Sequence, residues 1–257
     1  MELNNLKKQF GNQAEIYSKY RQPYPAELYA FFFSLLPVGE KTILDIACGP
    51  GNSTRSLVKE DTKVFGCDID PMMIEQAKKE AKENNLDIQY VVAEAEHLPY
   101  ADGTFDAITV GTAFHWFVNQ TALTEIKRVL KPSGLFFAFW TMNKNDIRVE
   151  DDQVLQVFRS YNWPRVPQEL RDLTYISDFL KQQGLQKVSV ANIPIAHTET
   201  LEERVNLEKT NAGYNLLAEG DREKFVDSLR AVLKASLGSK ESFLIQEELQ
   251  ISYGFKA

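Results

Sequence analysis

The stretch Thr42-Ile43-Leu44-Asp45-Ile46-Ala47-Cys48-Gly49-Pro50-Gly51 carries an apolar run straight into a glycine-rich turn, and Asp68 closes the apolar run that follows. Thr42 to Ile46 suits a strand buried on both faces, as central parallel strands are. Gly49 and Gly51 take Cβ atoms out of the turn, and Asn52, Ser53 and Thr54 are good openers of a helix. Lys63 to Cys67 reads as the second strand, which puts Asp68 about 17 residues after Gly51, close to the acid-on-ribose spacing of about 20 in nucleotide-binding βαβ units. In open α/β sheets a ligand sits beyond the carboxyl ends of the strands, where backbone can approach closely. A carboxylate there accepts from both ribose hydroxyls, so an adenosine-containing ligand is implied. The dinucleotide pattern G-x-G-x-x-G would need a glycine where Thr54 stands, and Pro50 removes a backbone donor. The turn alone does not choose the ligand.

On its N-terminal side, Asn12 to Leu36 reads as two helices broken at Gln22-Pro23-Tyr24-Pro25, because proline disfavours helix in the residue before it. On its C-terminal side, Asp70-Pro71 opens a helix that runs to Asn84, with Asp as N-cap and Pro at the first helical position. Ile88 to Ala93, Phe105 to Val110 and Leu135 to Trp140 are the next strands, and Asn119 to Leu130 is a crossover helix ended by Lys131-Pro132-Ser133-Gly134. Strands alternating with helices call for a parallel sheet covered on both faces. From Thr141 to Gln183 the rhythm breaks: Asp151 to Ser160 and Tyr175 to Gln183 are helical around the loop Asn162-Trp163-Pro164-Arg165-Val166-Pro167. Val188 to Ile195 is a sixth strand, Thr200 and Glu203 form a capping-box pair, Asp221 to Leu237 is helical, and Glu247 to Tyr253 alternates like a last strand. The expected architecture is α/β: a doubly wound, seven-stranded, mostly parallel sheet with helical cap insertions. It divides into an N-terminal helical cap (1–36), a ligand-binding core (37–140) and substrate-side insertions with the final strands (141–257).

The 257 residues are long enough to bury a real core, and 44% apolar with 25% charged residues is ordinary globular composition. A formal charge of −7 gives no field that would gather polyanions, so nucleic acid is disfavoured as a partner. No stretch approaches the ~18 apolar residues of a membrane span, and Met1 to Phe10 has no signal-like apolar region, so a cytoplasmic location without membrane attachment is expected. Cys48 and Cys67 suit a reduced compartment, and three histidines without clustered cysteines give no zinc spacing; no metal is expected. Arg148, Arg159, Arg165 and Arg171 offer cations for a small carboxylate substrate, against the plainer account that nearby acids neutralise them on a solvated surface.

Four successive segments carry a resemblance. They are Leu44-Asp45-Ile46-Ala47-Cys48-Gly49-Pro50-Gly51; Gly66-Cys67-Asp68-Ile69-Asp70-Pro71-Met72-Met73; Ala93-Glu94-Ala95-Glu96-His97-Leu98-Pro99-Tyr100 with Phe105-Asp106; and Leu130-Lys131-Pro132-Ser133-Gly134-Leu135. In this order and spacing, from Lys41 to Trp140, they resemble the motifs of the class I S-adenosylmethionine-dependent methyltransferases. The resemblance implies a single Rossmann-like methyltransferase domain over 1–257, with 37–140 its cofactor-binding core. It also implies roles. Asp45 would sit beside the methionine amino group, while Ala47 (where the family more often has Gly), Gly49 and Gly51 would let backbone approach the methionine moiety. Asp68 would bind the ribose hydroxyls, Ile69 and Met73 would sandwich the adenine, Glu94 (more often Asp) would accept from its exocyclic amine, and the Ala95 N–H would donate to a ring nitrogen. Gly111 and Thr112 would lie near the methionine. His115 would lie near the acceptor, where it could serve as a general base or simply as a wall residue.

The segment Ala14 to Pro25 resembles one in a subset that includes trans-aconitate methyltransferase-like proteins. There it folds over the cofactor, so Tyr17 would close the site and Arg21 would pair with the methionine carboxylate. The implied activity is transfer of the sulfonium methyl of S-adenosylmethionine to a small-molecule acceptor, a carboxylate among those that fit. A non-catalytic S-adenosylmethionine-binding protein is the alternative from another class. A nicotinamide oxidoreductase is disfavoured by Thr54 and by the segment at Glu94.

Overall fold

The computed structural model describes residues 11–21, 23–144, 151–163 and 172–257. Seven strands form one sheet: β1 (Lys41–Ile46), β2 (Thr62–Asp68), β3 (Ile88–Val92), β4 (Phe105–Gly111), β5 (Leu130–Asn143), β6 (Gln186–Glu199) and β7 (Phe243–Phe255). Their order is β3-β2-β1-β4-β5-β7-β6. The first five are parallel, and β7 runs antiparallel to both neighbours. Ligand-binding geometry follows from this order, because β1 and β4 are neighbours although β2 and β3 intervene in the chain. The strand order reverses there, and a crevice opens beyond the strand ends.

The apolar alternation of each strand sends one set of side chains to each face. On one face Leu44, Ile108, Phe136 and Trp140 meet Leu123 and Ile126 of α4 (Gln120–Val129) and Ile176 and Leu180 of α6 (Leu173–Gln182). On the other, Ile43, Ala107, Phe137, Phe139 and Leu249 meet Leu28 and Phe32 of α2 (Ala26–Ser34). A separate core joins α5 (Asp152–Ser160), α7 (Leu201–Lys209) and α9 (Glu219–Leu237) through Val154, Val205 and Phe225, with Trp163 stacked on Phe225 at 4.8 Å. The remaining helices are α1 (Ala14–Tyr20), α3 (Pro71–Glu83) and α8 (Ala212–Leu216).

Local chemistry explains the ends. Asp70 caps α3 by accepting from the Met72 N–H, with Pro71 in the first turn. Asp172 caps α6 in the same way. Thr200 and Glu203 make the reciprocal capping box of α7.

The structure departs from the sequence expectation in two places. Asn52-Ser53-Thr54 do not open an α-helix; Ser53 is itself helical in conformation, and one 3-10 turn, Thr54–Leu57, follows before Val58 to Asp61 return the chain to β2. The last three strands are also longer than their apolar runs. β6 continues past Ile195 through His197 to Glu199, and β7 begins at Phe243, ahead of the charged Glu247 and Glu248. Backbone pairing carries these upper rungs, with ion pairs at His197, Glu199 and Glu247 beside apolar Phe243 and Ile245, so the mixed composition gave no clean alternation. β5, β7 and β6 consequently rise above the ends of β1 and β4 as a wall on the ligand side.

Candidate functional site

Asp45, the fifth residue of β1, pairs with Thr109 of β4, so both side chains point to the same face of the sheet. Asp45 is 1% exposed, and accepts from Thr54 Oγ1 at 2.7 Å and Thr109 Oγ1 at 2.9 Å. Burial pushes its carboxyl up to about 7; the two hydroxyl donors pull it back only in part, and nearby Asp68 pushes the same way as burial. A carboxylate held this dry, facing a crevice, is poised to take a cation.

At the end of β2 Asp68 accepts from the Gly49 N–H and from the Asp70 N–H, both at 2.9 Å, which ties the glycine turn to the next strand end. Burial raises its carboxyl to about 6 against those donors. The turn is closed by the Gly51 N–H on the Cys48 carbonyl, and Arg55 braces it through the Pro50 carbonyl at 2.8 Å and Asn52 Oδ1 at 3.1 Å. Gly51 sits at φ +80°, and a Cβ there would meet the Tyr90 hydroxyl. Cys48 and Cys67 are free, buried, and belong to different cores; burial raises both thiols.

Beyond β2, Ile69 is half-buried and Met73 is buried in the first turn of α3. Ala95 is buried, whereas Glu94 is exposed and bridges to His97 through backbone. At the end of β4, Gly111 pairs with Phe139. Thr112 follows at φ +51°, a left-handed conformation that a β-branched residue adopts only under constraint. Its N–H donates to the Phe139 carbonyl at 2.7 Å, and its hydroxyl meets Tyr24 Oη at 2.9 Å.

A crevice of about 40 Å³ lies between these elements, lined by Tyr17, Tyr24, Asp45, Ala47, Cys48, Gly49, Asn52, Ser53 and Gly111. Of the residues singled out from sequence, Tyr17, Asp45, Ala47, Gly49 and Gly111 line this one crevice. Ile69, Met73, Glu94 and Ala95, expected on the adenine side, lie beyond the ends of β2 and β3. Tyr24, Asn52 and Ser53 were given no binding role by sequence; Tyr24 joins because the Pro23–Pro25 segment passes over the end of β4 and against Phe139 of β5, which no periodicity reveals. Ser53 Oγ is buried without a hydrogen-bond partner.

Two expected residues are engaged elsewhere. Arg21 donates through Nε to Thr210 Oγ1 and through Nη2 to Asn211 Oδ1, both at 2.9 Å, and its guanidinium lies 5.2 Å from the Tyr17 ring. It is held by the α7–α8 turn, because the strap formed by residues 11–21 and 23–25 leads it toward the cap. His115 is 4% exposed, stands 4.9 Å from the Trp116 ring, and accepts the Trp140 indole N–H at Nδ1, 3.3 Å away. That nitrogen must leave the indole before it could take a proton. Of the four arginines suggested as carboxylate clamps, Arg159 is exposed on α5, and Arg148, Arg165 and Arg171 lie outside the described residues.

A larger groove of about 1090 Å³ lies between α5, α8 and α9, lined by Gln153, Tyr161, Leu216, Val232 and a single acid, Asp221, among others. It is open, and although Gln153, Gln156, Ser160, Asn162 and Ser228 also line it, Asp221 is its one charged side chain among the described residues, so the glycine-turn crevice with its buried carboxylate is the stronger candidate. No helix among the described residues is long and apolar enough to cross a membrane.

Comparison with known proteins matches the segment that supplies Asp45, the glycine turn and Gly111. Residues 44–138 match a family model described as a methyltransferase domain. An uncharacterised methyltransferase of Schizosaccharomyces pombe is 32% identical over 133 residues, 51% of this chain and 51% of that protein. The demethylmenaquinone methyltransferase of Thermus thermophilus is 37% identical over 97 residues, 37% of this chain and 44% of that protein. The chain thus spans about half the length of the curated relatives it matches. Among solved structures, a protein from Anaeromyxobacter dehalogenans assigned as a type II methyltransferase superposes with a TM-score of 0.67 at 20% identity, over 91% of this chain and 97% of that one. Phosphoethanolamine N-methyltransferase 2 of Haemonchus contortus, solved with phosphomonomethylethanolamine and S-adenosylhomocysteine, gives a TM-score of 0.58 at 16% identity, over 96% and 57%. The fold is therefore the Rossmann-like methyltransferase fold.

Proposed function

We propose that this chain is an S-adenosylmethionine-dependent methyltransferase that moves the sulfonium methyl to a small-molecule nucleophile, leaving S-adenosylhomocysteine. The observation that carries this reading is the crevice at the end of β1, where the dry Asp45 carboxylate, the glycine turn and Gly111 converge inside the segment that matches the methyltransferase model. The cofactor supplies the reactive carbon and its leaving group when bound, so the protein has chiefly to orient, to hold charge and to exclude water.

In this reading Asp45 takes the ammonium of the methionine moiety, and backbone at Ala47, Gly49 and Gly51 lines its path. Asp68 takes the ribose hydroxyls with the lone pairs left over from Gly49 and Asp70. Ile69 and Met73 bracket the adenine, with Glu94 and Ala95 at its polar edge. Gly111 and Thr112 border the reacting end. Tyr17 covers the site from the strap, a feature consistent with the trans-aconitate methyltransferase-like subset. The acceptor side lies under the cap beyond Phe139. A carboxylate acceptor would need cations there, and among the described residues Arg21 is near but bonded to Thr210 and Asn211. The net charge of −7 favours a small molecule over nucleic acid, and the two free thiols suit a cytoplasmic setting.

The test is calorimetric titration of S-adenosylmethionine and of the reduced nicotinamide dinucleotide, followed by a labelled-methyl assay against a metabolite panel. Saturable binding of the first alone, with acceptor-dependent homocysteine product, is expected. Absence of binding would overturn the proposal. Asp68→Ala should weaken binding by about 1.5–3 kcal/mol through lost charge-assisted bonds, and unchanged affinity in a folded variant would contradict the ribose assignment.

A further inference from the structure

Arg21 was the expected partner of the cofactor's carboxylate, yet the structure gives both its described donors to the cap at Thr210 and Asn211. Something else must receive that carboxylate, and the crevice has its own neutral donors. Tyr24 and Ser53 both line it, facing the same space as Asp45. Tyr24 is set there by packing: its ring meets Phe139 edge-on at 4.7 Å, and its hydroxyl lies 2.9 Å from that of Thr112. Phe139 in turn forbids a side chain on Gly111, where a Cβ would come within 2.8 Å of the Phe139 ring. The four residues form a closed set of contacts. It holds Thr112 in its left-handed conformation and aims the Tyr24 hydroxyl at the crevice. If the Thr112 hydroxyl donates to Tyr24 Oη, the phenolic proton is left for a ligand.

Burial raises the Tyr24 hydroxyl above its ordinary range, so it stays a donor and never competes as an anion. Ser53 supplies the second, independent observation. Its Oγ is 6% exposed by residue, borders the crevice, and has no hydrogen-bond partner. A buried hydroxyl without a partner is costly unless a ligand completes it. One buried carboxylate beside two neutral hydroxyl donors is the chemistry of an α-amino acid head group: the acid for the ammonium, the hydroxyls for the carboxylate.

We infer that Tyr24, held by Thr112, and Ser53 bind the amino-acid carboxylate of the cofactor, and that Arg21 belongs to the cap. This rests on the methyltransferase reading and names a part of the same site. The test compares S-adenosylmethionine with its decarboxylated analogue by calorimetry, so that only the carboxylate differs between the two probes. Wild type should bind the intact cofactor at least about tenfold more tightly, as a hydrogen-bonded charge warrants. Tyr24→Phe should erase most of that preference while leaving the decarboxylated analogue's affinity unchanged. Ser53→Ala should do so in part, and carries the test if Tyr24→Phe does not fold. Arg21→Gln should keep the wild-type ratio. The inference is overturned if wild type does not discriminate, if Tyr24→Phe weakens both probes equally, or if Arg21→Gln is the variant that loses discrimination. Failure of wild type to bind either probe would instead remove the cofactor reading itself, and this assignment with it.

Discussion

Asp45 shows how one side chain joins stability to binding. Its carboxyl, ordinary near 3.8 in the unfolded chain, is raised to about 7 by burial in the folded protein. Between those values the folded state keeps a proton that the unfolded state has released, so this contribution to stability is complete below the unfolded value and is lost as pH rises through about 7. Asp68, raised to about 6, acts in the same direction. The unliganded protein should therefore melt lower at about pH 8 than at about pH 5, while an ammonium ligand, which selects the charged carboxylate, should raise the melting temperature more at about pH 8. Differential scanning fluorimetry across that range, with and without S-adenosylmethionine, measures both trends. Asp45→Asn should flatten the unliganded slope and reduce the ligand increment; a slope that survives the substitution would assign it to other groups. His115 invites a different measurement. General bases contribute about 10²–10⁴-fold, so a His115→Asn variant that keeps turnover within tenfold would leave it the role of a wall residue against Trp140.

Among the elements, those with strong local chemistry were legible beforehand and those of mixed composition were not. β1 and β4 read correctly because two-sided burial writes a continuous apolar run, β2 and β3 because short β-branched and aromatic runs end at turn residues, and α3 because Asp70 and Pro71 mark its start. The α7 start was equally plain in Thr200 and Glu203, and Thr200→Ala should cost about 0.5–2 kcal/mol by removing the cap; urea unfolding of a variant unchanged from wild type would show that tertiary packing alone sets this helix. The upper rungs of β6 were illegible because His197 and Glu199 break the apolar alternation, and the apolar start of β7, Phe243 to Ile245, was cut off from the rest of its strand by Gln246, Glu247 and Glu248, although the hydrogen-bonded register there continues unbroken. The 3-10 turn after Gly51 was misread as a helix, since good opening residues say nothing of how soon the chain must return to β2. Within the site, spacing pointed to Asp68 alone, while Asp45 and Gly111 were singled out by the resemblance of their segments, and the structure sets them at the ends of β1 and β4. Tyr24 and the engagement of Arg21 by the cap depend on which distant segment passes over the strand ends, and no local signal encodes that, whereas Ser53 belongs to the turn after Gly51 and was hidden by its reading as a helix opener. Gly111→Ala tests this coupling between elements: the added methyl must move Phe139, and with it Tyr24, so cofactor affinity should fall severalfold while the circular dichroism spectrum is retained.

Across the whole molecule, one bonded series ties the N-terminal strap to the far edge of the sheet. Arg21 binds Asn211, Asn211 donates to Glu208, Arg204 joins Glu208 at 3.0 Å to Glu199 at 3.3 Å, and Glu199 meets His197 at 3.1 Å. Arg204, Glu199 and Glu208 are each at most 3% exposed, so Arg204→Met should leave two buried carboxylates without their cation and cost about 3–5 kcal/mol, read from chemical denaturation. The same series holds the strap down over a crevice of about 40 Å³, far below the ~300–1,000 Å³ of small-molecule sites. In the methyltransferase reading a cofactor needs more room than this, and the strap that carries Tyr17 is the part to give: Gly11 on Asp70, Ser18 on Glu80 and Arg21 on the cap are the contacts that would open and re-form. Binding then works against these strap contacts and leaves the sheet in place. Trypsin reads this directly, because Lys19 and Arg21 lie on the strap. Cleavage after them should slow severalfold once S-adenosylhomocysteine seals the strap over itself, and Asn211→Ala, which frees Arg21, should speed cleavage in the unliganded protein. Equal cleavage rates with and without the ligand, in a protein that calorimetry shows to bind it, would mean that the strap takes no part in enclosing the cofactor.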